Sequence, residues 1–167
     1  QNWIGFVYNG LVILNNGVDD PQCLATIGAS KFTDLTNWPA STTCKAMRAF
    51  RNYLIALNLT ESSTIYPNKV RWGDAAENFA LPSSWVAAST NDAGSATVGD
   101  TGDFIVDGLK LGGSFIIYKE QSTWLMTYTG GNLVFSFSQL FSDSGVLSRN
   151  CLAEFNSQHF VVTQGDL

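Results

Sequence analysis

One motif recurs along the chain and limits the fold more than any other feature. YNGLVILNNG (residues 8–17) and RNYLIALNLT (residues 51–60) each set an Asn beside a short apolar run. LGGSFIIYKE (111–120) and FNSQHFVVTQ (155–164) do the same with a Gly or an Asn. Aligned on Asn9, Asn52, Gly112 and Asn156, the four segments are separated by 43, 60 and 44 positions. An apolar strand, a residue that tolerates positive φ and a second apolar strand make a β-hairpin. A period of ~40–50 residues is that of propeller blades, four-stranded antiparallel sheets that bury their faces only against neighbours. The longer interval is then an insertion, placed at the small, polar, Gly-rich residues 86–103 and expected to be an exposed loop.

The local signals agree. Asn9-Gly10 is a strong hairpin turn. SFIIYKE, TWLMTYT and LVFSFS, joined at Gln121-Ser122 and at Gly130-Gly131-Asn132, predict a three-stranded meander over residues 114–138. Within it, Val134 to Ser138 alternate apolar and polar with the period of a half-buried strand. CLAEFNSQHFVVTQGD predicts a last hairpin turning at Asn156-Ser157. Residues 43–59 read two ways. Met47, Phe50, Leu54 and Leu57 fit one face of a helix. The match to the other hairpins favours two strands turning at Arg51-Asn52. The expected fold is all-β: antiparallel hairpins and meanders arranged as β-propeller blades, with a β-sandwich as the alternative. Residues 1–167 read as a single β-repeat segment. Gln1 in place of an initiator Met, and a stop at Gln164-Gly165-Asp166-Leu167 just after a strand, suggest a piece of a longer propeller; a complete four-bladed ring is the other reading.

Composition supports β structure and narrows function. Aromatic residues are plentiful, with eleven Phe, five Trp and five Tyr, while charged residues make up 14% against about 25% in an average domain. A disordered chain has the opposite balance. The longest apolar runs, such as Phe115 to Tyr118, fall far short of the ~20 residues that span a bilayer, and Gln1-Asn2-Trp3 has no basic region of a signal peptide. The net charge is −5, and the nine Lys and Arg are scattered apart from Lys45, Arg48 and Arg51. That is a poor footprint for sustained nucleic-acid binding, though an acidic wall lets DNA pass without gripping it. Cys23, Cys44 and Cys151 show no metal-ligand spacing and are expected as thiols of a reducing compartment; a Cys23–Cys44 bridge has no support from spacing.

No catalytic, cofactor or metal residue is assigned. His159 would have to serve any Ser-His-Asp triad, but no nucleophile elbow accompanies it and a structural role fits better. No phosphate-cradling Gly motif is present. Asp74, Glu77, Asp103, Asp107, Glu120 and Glu154 are glycosidase candidates by type alone, and their spacing selects no pair. Asp100, Asp103 and Asp107 in GDTGDFIVDG are oxygen donors suited to calcium, but their spacing is not that of a calcium loop, so solvated turn carboxylates are expected. Asn58-Leu59-Thr60 is a glycosylation sequon on an expected half-buried strand. Trp3, Trp38, Trp72, Trp85 and Trp124 would stack on sugar if exposed and otherwise pack a core.

VRWGDAAENFALPSSW (70–85), IVDGLKLGGSFIIYKEQSTWLMTYTGG (105–131) and FSFSQLFSDSGVLSRNCLAEFNSQHFVVTQGDL (135–167) form a composite pattern. It joins an Arg-Trp to a Pro-Ser-Ser-Trp, an Asp-Gly turn, the Phe-Ile-Ile-Tyr-Lys-Glu strand and Gly-Val-Leu-Ser-Arg-Asn. The pattern resembles propeller-containing nozzle, or tail tubular, proteins of short-tailed bacteriophages; residues 1–69 fit only as generic blades. The resemblance implies a virion structural protein without enzymatic activity, assembled in the host cytoplasm. Copies would form a ring at the distal tail, contact neighbouring tail proteins and fibres, and continue the channel for genome ejection. The chain is much shorter than such proteins. The competing readings are a carbohydrate-binding β module for host-surface recognition and part of a propeller hydrolase.

Overall fold

The structure is a computed structural model that describes residues 2–99, 101–131 and 133–163. Gln1, Asp100, Asn132 and residues 164–167 lie outside that set, and with them one member of the expected calcium group and one residue of the Gly-Gly-Asn turn. The fold is all-β: the described residues form fourteen strands in four antiparallel sheets. The helical alternative for residues 43–59 is not adopted. The stretch expected as one segment divides into two compact units, Gln1–Ala96 and Thr97–Leu167, and the boundary falls inside the Gly-rich residues 86–103.

The first unit contains two meanders. One runs β1 (Ile4–Tyr8), β2 (Leu11–Asn15), β3 (Gln22–Leu24) and β4 (Thr33–Asp34); the other runs β5 (Thr42–Phe50), β6 (Tyr53–Glu61), β7 (Thr64–Trp72) and β8 (Gly94–Thr97), whose last residue opens the second unit. The second unit holds a third meander, β9 (Ile105–Leu111), β10 (Ser114–Lys119), β11 (Thr123–Tyr128) and β12 (Phe135–Phe141), and a hairpin of β13 (Leu152–Phe155) and β14 (Gln158–Val161). The four recurring sequence segments are the hairpins β1–β2, β5–β6, β9–β10 and β13–β14. Each opens a new group of strands, so the repeat in the sequence is a repeat every four strands.

All four turns have two residues, as the pairs Tyr8↔Leu11, Phe50↔Tyr53, Leu111↔Ser114 and Phe155↔Gln158 show. Asn9 and Gly10 take φ of 49° and 84°, and Asn156 and Ser157 take 52° and 59°. Two consecutive positive φ values match the twist of the flanking strands. In the second hairpin the positive φ falls on Arg51, at 53°. Asn52 is therefore the second turn residue, and alignment on it places that segment one residue out of step.

Because successive side chains alternate, a two-residue turn fixes two faces on each hairpin. The turn-flanking face of β1–β2 carries Phe6, Tyr8, Leu11 and Ile13; the alternate face carries Val7, Val12 and Leu14. In the first unit, Met47, Ala49, Leu54 and Ala56 from the alternate face of β5–β6 join Phe6, Tyr8 and Ile13 in one apolar cluster. Fully burying one such Leu, Ile or Met contributes roughly 1.5–3 kcal/mol. The Tyr8 hydroxyl donates to the Asn52 carbonyl at 2.8 Å, and Asn15 Nδ2 donates to the Cys44 carbonyl at 3.1 Å, so polar groups at the cluster are paired.

Residues 86–103 are not wholly an exposed loop. They include β8, and Ala93 and Val98 beside it are buried. The small residues serve packing: a Cβ on Gly94 would lie 2.6 Å from the Trp72 ring, whose Nε1 donates to the Asp92 carbonyl at 2.7 Å. In the second unit Gly145 has a comparable role. A Cβ there would lie 2.4–2.5 Å from the backbone of Lys119, Glu120 and Gln121, which cannot yield as a side chain can. We therefore expect Gly145→Ala to destabilise the protein by about 3 kcal/mol, read as a lower denaturant midpoint; an unchanged midpoint would contradict this close approach.

Candidate functional site

The densest polar chemistry in the second unit surrounds Lys119. Alternation along β10 puts Lys119 on the face of Phe115 and Ile117, and its side chain is 0% exposed. Nζ lies 3.0 Å from Asp103 Oδ1, donates to the Thr101 hydroxyl and reaches the Val98 carbonyl at 3.4 Å. Asp103 also accepts from the Thr101 hydroxyl, from Ser122 Oγ at 2.7 Å and from the Gln121 amide at 3.3 Å. Trp124 donates to Ser122 Oγ at 3.1 Å, and its ring lies 6.0 Å from the ammonium. Burial alone would raise the Asp103 pKa, but hydrogen bonds from Thr101, Ser122 and Lys119, together with the Lys119 charge, outweigh it and hold the carboxyl well below the usual range.

This corrects the expectation that Asp103 and Asp107 are solvated turn carboxylates: both are buried. Asp103 is engaged with a lysine, and Asp107 Oδ1 accepts from the Gly108 amide. Among the described residues no group of three or more His, Cys, Asp or Glu side chains could hold a metal ion. The Lys119 ammonium and the Asp103 carboxylate are buried against each other. The arrangement anchors the turn between β10 and β11.

His159 links the last hairpin to β9 and β10. Nε2 lies 2.8 Å from the Lys110 carbonyl, which only accepts, so Nε2 carries the proton and Nδ1 accepts from the Tyr118 hydroxyl at 2.9 Å. Burial pushes the Tyr118 phenol up to about 12. The same face of β13–β14 adds Leu152 and Val161 to a cluster of Leu111, Ile116 and Tyr118. Asp74 organises a loop, accepting from the Asp92 amide at 2.9 Å and from Ser83 Oγ at 2.8 Å. Glu77 and Glu154 are exposed. Glu120 lines an open cleft of about 480 Å³ with Asp143, Ser142 and Ser144. Cys23 and Cys44 are buried in the first unit's core with no disulfide between them, and Cys151 is half-buried. Asn58 sits at a bulge in β6 with φ 54°.

Of the five tryptophans, Trp72 and Trp85 are buried, Trp38 and Trp124 are half-buried, and Trp3 is 43% exposed. Trp38 packs edge-on against Trp85 at 4.7 Å. Exposed apolar side chains are spread over loops and strands, and a few lie on the recurring hairpins. Val7 on β1 is 65% exposed, and Phe155 and Phe160 on the last hairpin are 70% and 57% exposed, their rings 6.4 Å apart. Among the described residues no helix is long and apolar enough to cross a membrane. The chain matches no protein-family model, and no curated protein matches it.

The ion pair gives a direct test. Asp103→Asn leaves the Lys119 charge buried with a neutral partner, and the expected loss is about 3 kcal/mol in chemical denaturation. Because the folded-state value of Asp103 is depressed, its stabilisation is complete above the unfolded carboxylate value of about 3.9 and is lost as pH falls through the folded-state value. The wild type should therefore lose stability below about pH 4 more steeply than Asp103→Asn; parallel profiles would rule out this pairing.

Proposed function

We propose that the chain is a structural component of a bacteriophage tail, a nozzle or tail tubular protein, built of β-propeller blades and contributing to the distal channel used for genome ejection. One observation carries the blade reading. In both units the alternate face of a following hairpin packs on the turn-flanking face of the sheet before it. Two sheets of a sandwich need no such direction, whereas serial stacking of blades uses one face forward and the other back. The family reading is supported by the composite pattern over residues 70–167, from Arg71-Trp72 through the Phe115 to Glu120 strand to the last hairpin.

The remaining chemistry suits this role. Asp74, Asp103, Asp107 and His159 are engaged in bonds within the fold, whereas Glu77 and Glu154 are exposed and Glu120 lines an open cleft. A net charge of −5 suits a conduit past which DNA moves without binding, and exposed Val and Phe side chains suit permanent protein–protein packing. The partners are other copies in a ring, neighbouring tail proteins and fibres, and the location is the virion. Immunogold electron microscopy with an antibody to this chain should place gold at the far end of a short tail. Unlabelled tailed particles, with the epitope reactive after denaturation, would overturn the proposal; glycan binding by the isolated chain would then favour host-surface recognition.

A further inference from the structure

Two Asn-Gly steps occur in the chain, Asn9-Gly10 and Asn16-Gly17. Such a step is chemically labile, because the Gly nitrogen has no neighbouring Cβ to shield it from the Asn side-chain carbonyl carbon. The fold treats the two asparagines differently. Asn16 is 4% exposed; its Oδ1 accepts from the Val18 and Asp19 amides at 2.9 Å, and its Nδ2 donates to Asp19 Oδ2 at 2.6 Å. These bonds close within residues 16–19, so no movement of distant chain releases them. Asn9 is half-buried and is held from far away. Its Nδ2 donates to the Ala76 carbonyl at 2.8 Å and to the Glu77 carbonyl at 3.1 Å. Its own carbonyl accepts from the Phe79 amide at 2.7 Å. Phe79 holds a φ of 61°, unusual for an aromatic residue, and its ring covers Gly10, where a Cβ would lie 2.4 Å from it. The Ala76 amide donates to the Asn52 carbonyl at 3.0 Å, so residues 76–79 clasp the turns of the first two hairpins together.

We propose that Asn9 is a self-modification site, and that its deamidation releases residues 76–79 from the first hairpin for good. In the reaction the Gly10 nitrogen forms a bond to Asn9 Cγ and the Cγ–Nδ2 bond breaks. The Gly10 amide proton departs with Nδ2 as ammonia. Water then opens the cyclic imide to aspartate or isoaspartate, and no other reactant is needed. Cyclisation requires Asn9 Cγ to swing over the Gly10 nitrogen, so both bonds from Nδ2 must break first. The reaction therefore proceeds from a locally opened state, and the clasp sets its rate. The product cannot reseat. A carboxylate has no proton to donate, and it would face two carbonyl oxygens that only accept. Aspartate suits the first position of this turn as well as asparagine does, so the hairpin survives and the loss falls on the clasp.

The test is peptide mapping by mass spectrometry after incubation at mildly alkaline pH, with the chain folded and in denaturant. Both asparagines should convert in denaturant. In the folded protein Asn9 should convert ahead of Asn16, and at least about tenfold more slowly than in denaturant, a factor set by the two side-chain bonds that must open. Equal Asn9 rates in the two states, or conversion of Asn16 first in the folded protein, would overturn the proposal. Hydrogen exchange reads the consequence. The Ala76 and Phe79 amides should exchange at least about tenfold faster in Asn9→Asp than in the wild type. The converted wild type, separated by ion exchange, should show the same change, which keeps the test independent of how well the variant folds. Unchanged exchange at both amides in the converted protein would overturn the release. The virion location is read separately by gold labelling, so either reading can fail without the other.

Discussion

Two-residue turns are the constraint on which the rest of the structure depends. With only two residues between strands, the register of each hairpin is set, and a slip of one residue would exchange its two faces. Four such turns give four hairpins the same assignment of faces. From this follow the cluster joining Tyr8 and Ile13 to Met47 and Leu54, and the cluster joining Ile116 and Tyr118 to Leu152 and Val161. The left-handed backbone is supplied by Asn, Gly, Ser and, at residue 51, Arg. Apart from Gly, such residues adopt it at some cost, which the packing of the strands they join offsets.

The second unit adds a different kind of constraint. Lys119 occupies a core position, and an unpaired ammonium there would be costly. Thr101 and Asp103 meet it from one chain segment and Ser122 donates to Asp103 from another, so a loop and a turn are fixed relative to the sheet. The Lys119 carbonyl accepts from the Val146 amide at 2.9 Å, which draws the residues after β12 over the same turn. Such a group specifies geometry more than it adds net stability, since the desolvation of both charges offsets much of their attraction.

Parts of this were legible in the linear pattern. Asn9-Gly10, Gly130-Gly131 and Asn156-Ser157 mark turns by their backbone preferences, and the apolar runs beside them mark strands. Residues 43–59 were ambiguous because an apolar run buried on both faces loses its period: Leu54, Ile55, Ala56 and Leu57 are all buried. β8 was missed because Gly, Ser, Ala and Thr carry loop preferences, and the Trp72 ring that requires small neighbours lies 22 residues earlier. The Lys119 site had one signal, the alternation that puts a lysine in step with Phe115 and Ile117. Nothing local pointed to Asp103 as its partner.

The sequence by itself determined the class of the fold, the hairpins and the side chains that share each hairpin face, because turn chemistry and strand alternation act over a few residues. Tertiary structure alone decided which faces are covered and which stay open, and which carboxylate meets the buried lysine. Those outcomes depend on contacts such as Tyr8 with Asn52 and Tyr118 with His159, more than forty residues apart. Burial is a property of what a face meets, and alternation along a strand says only that a face exists.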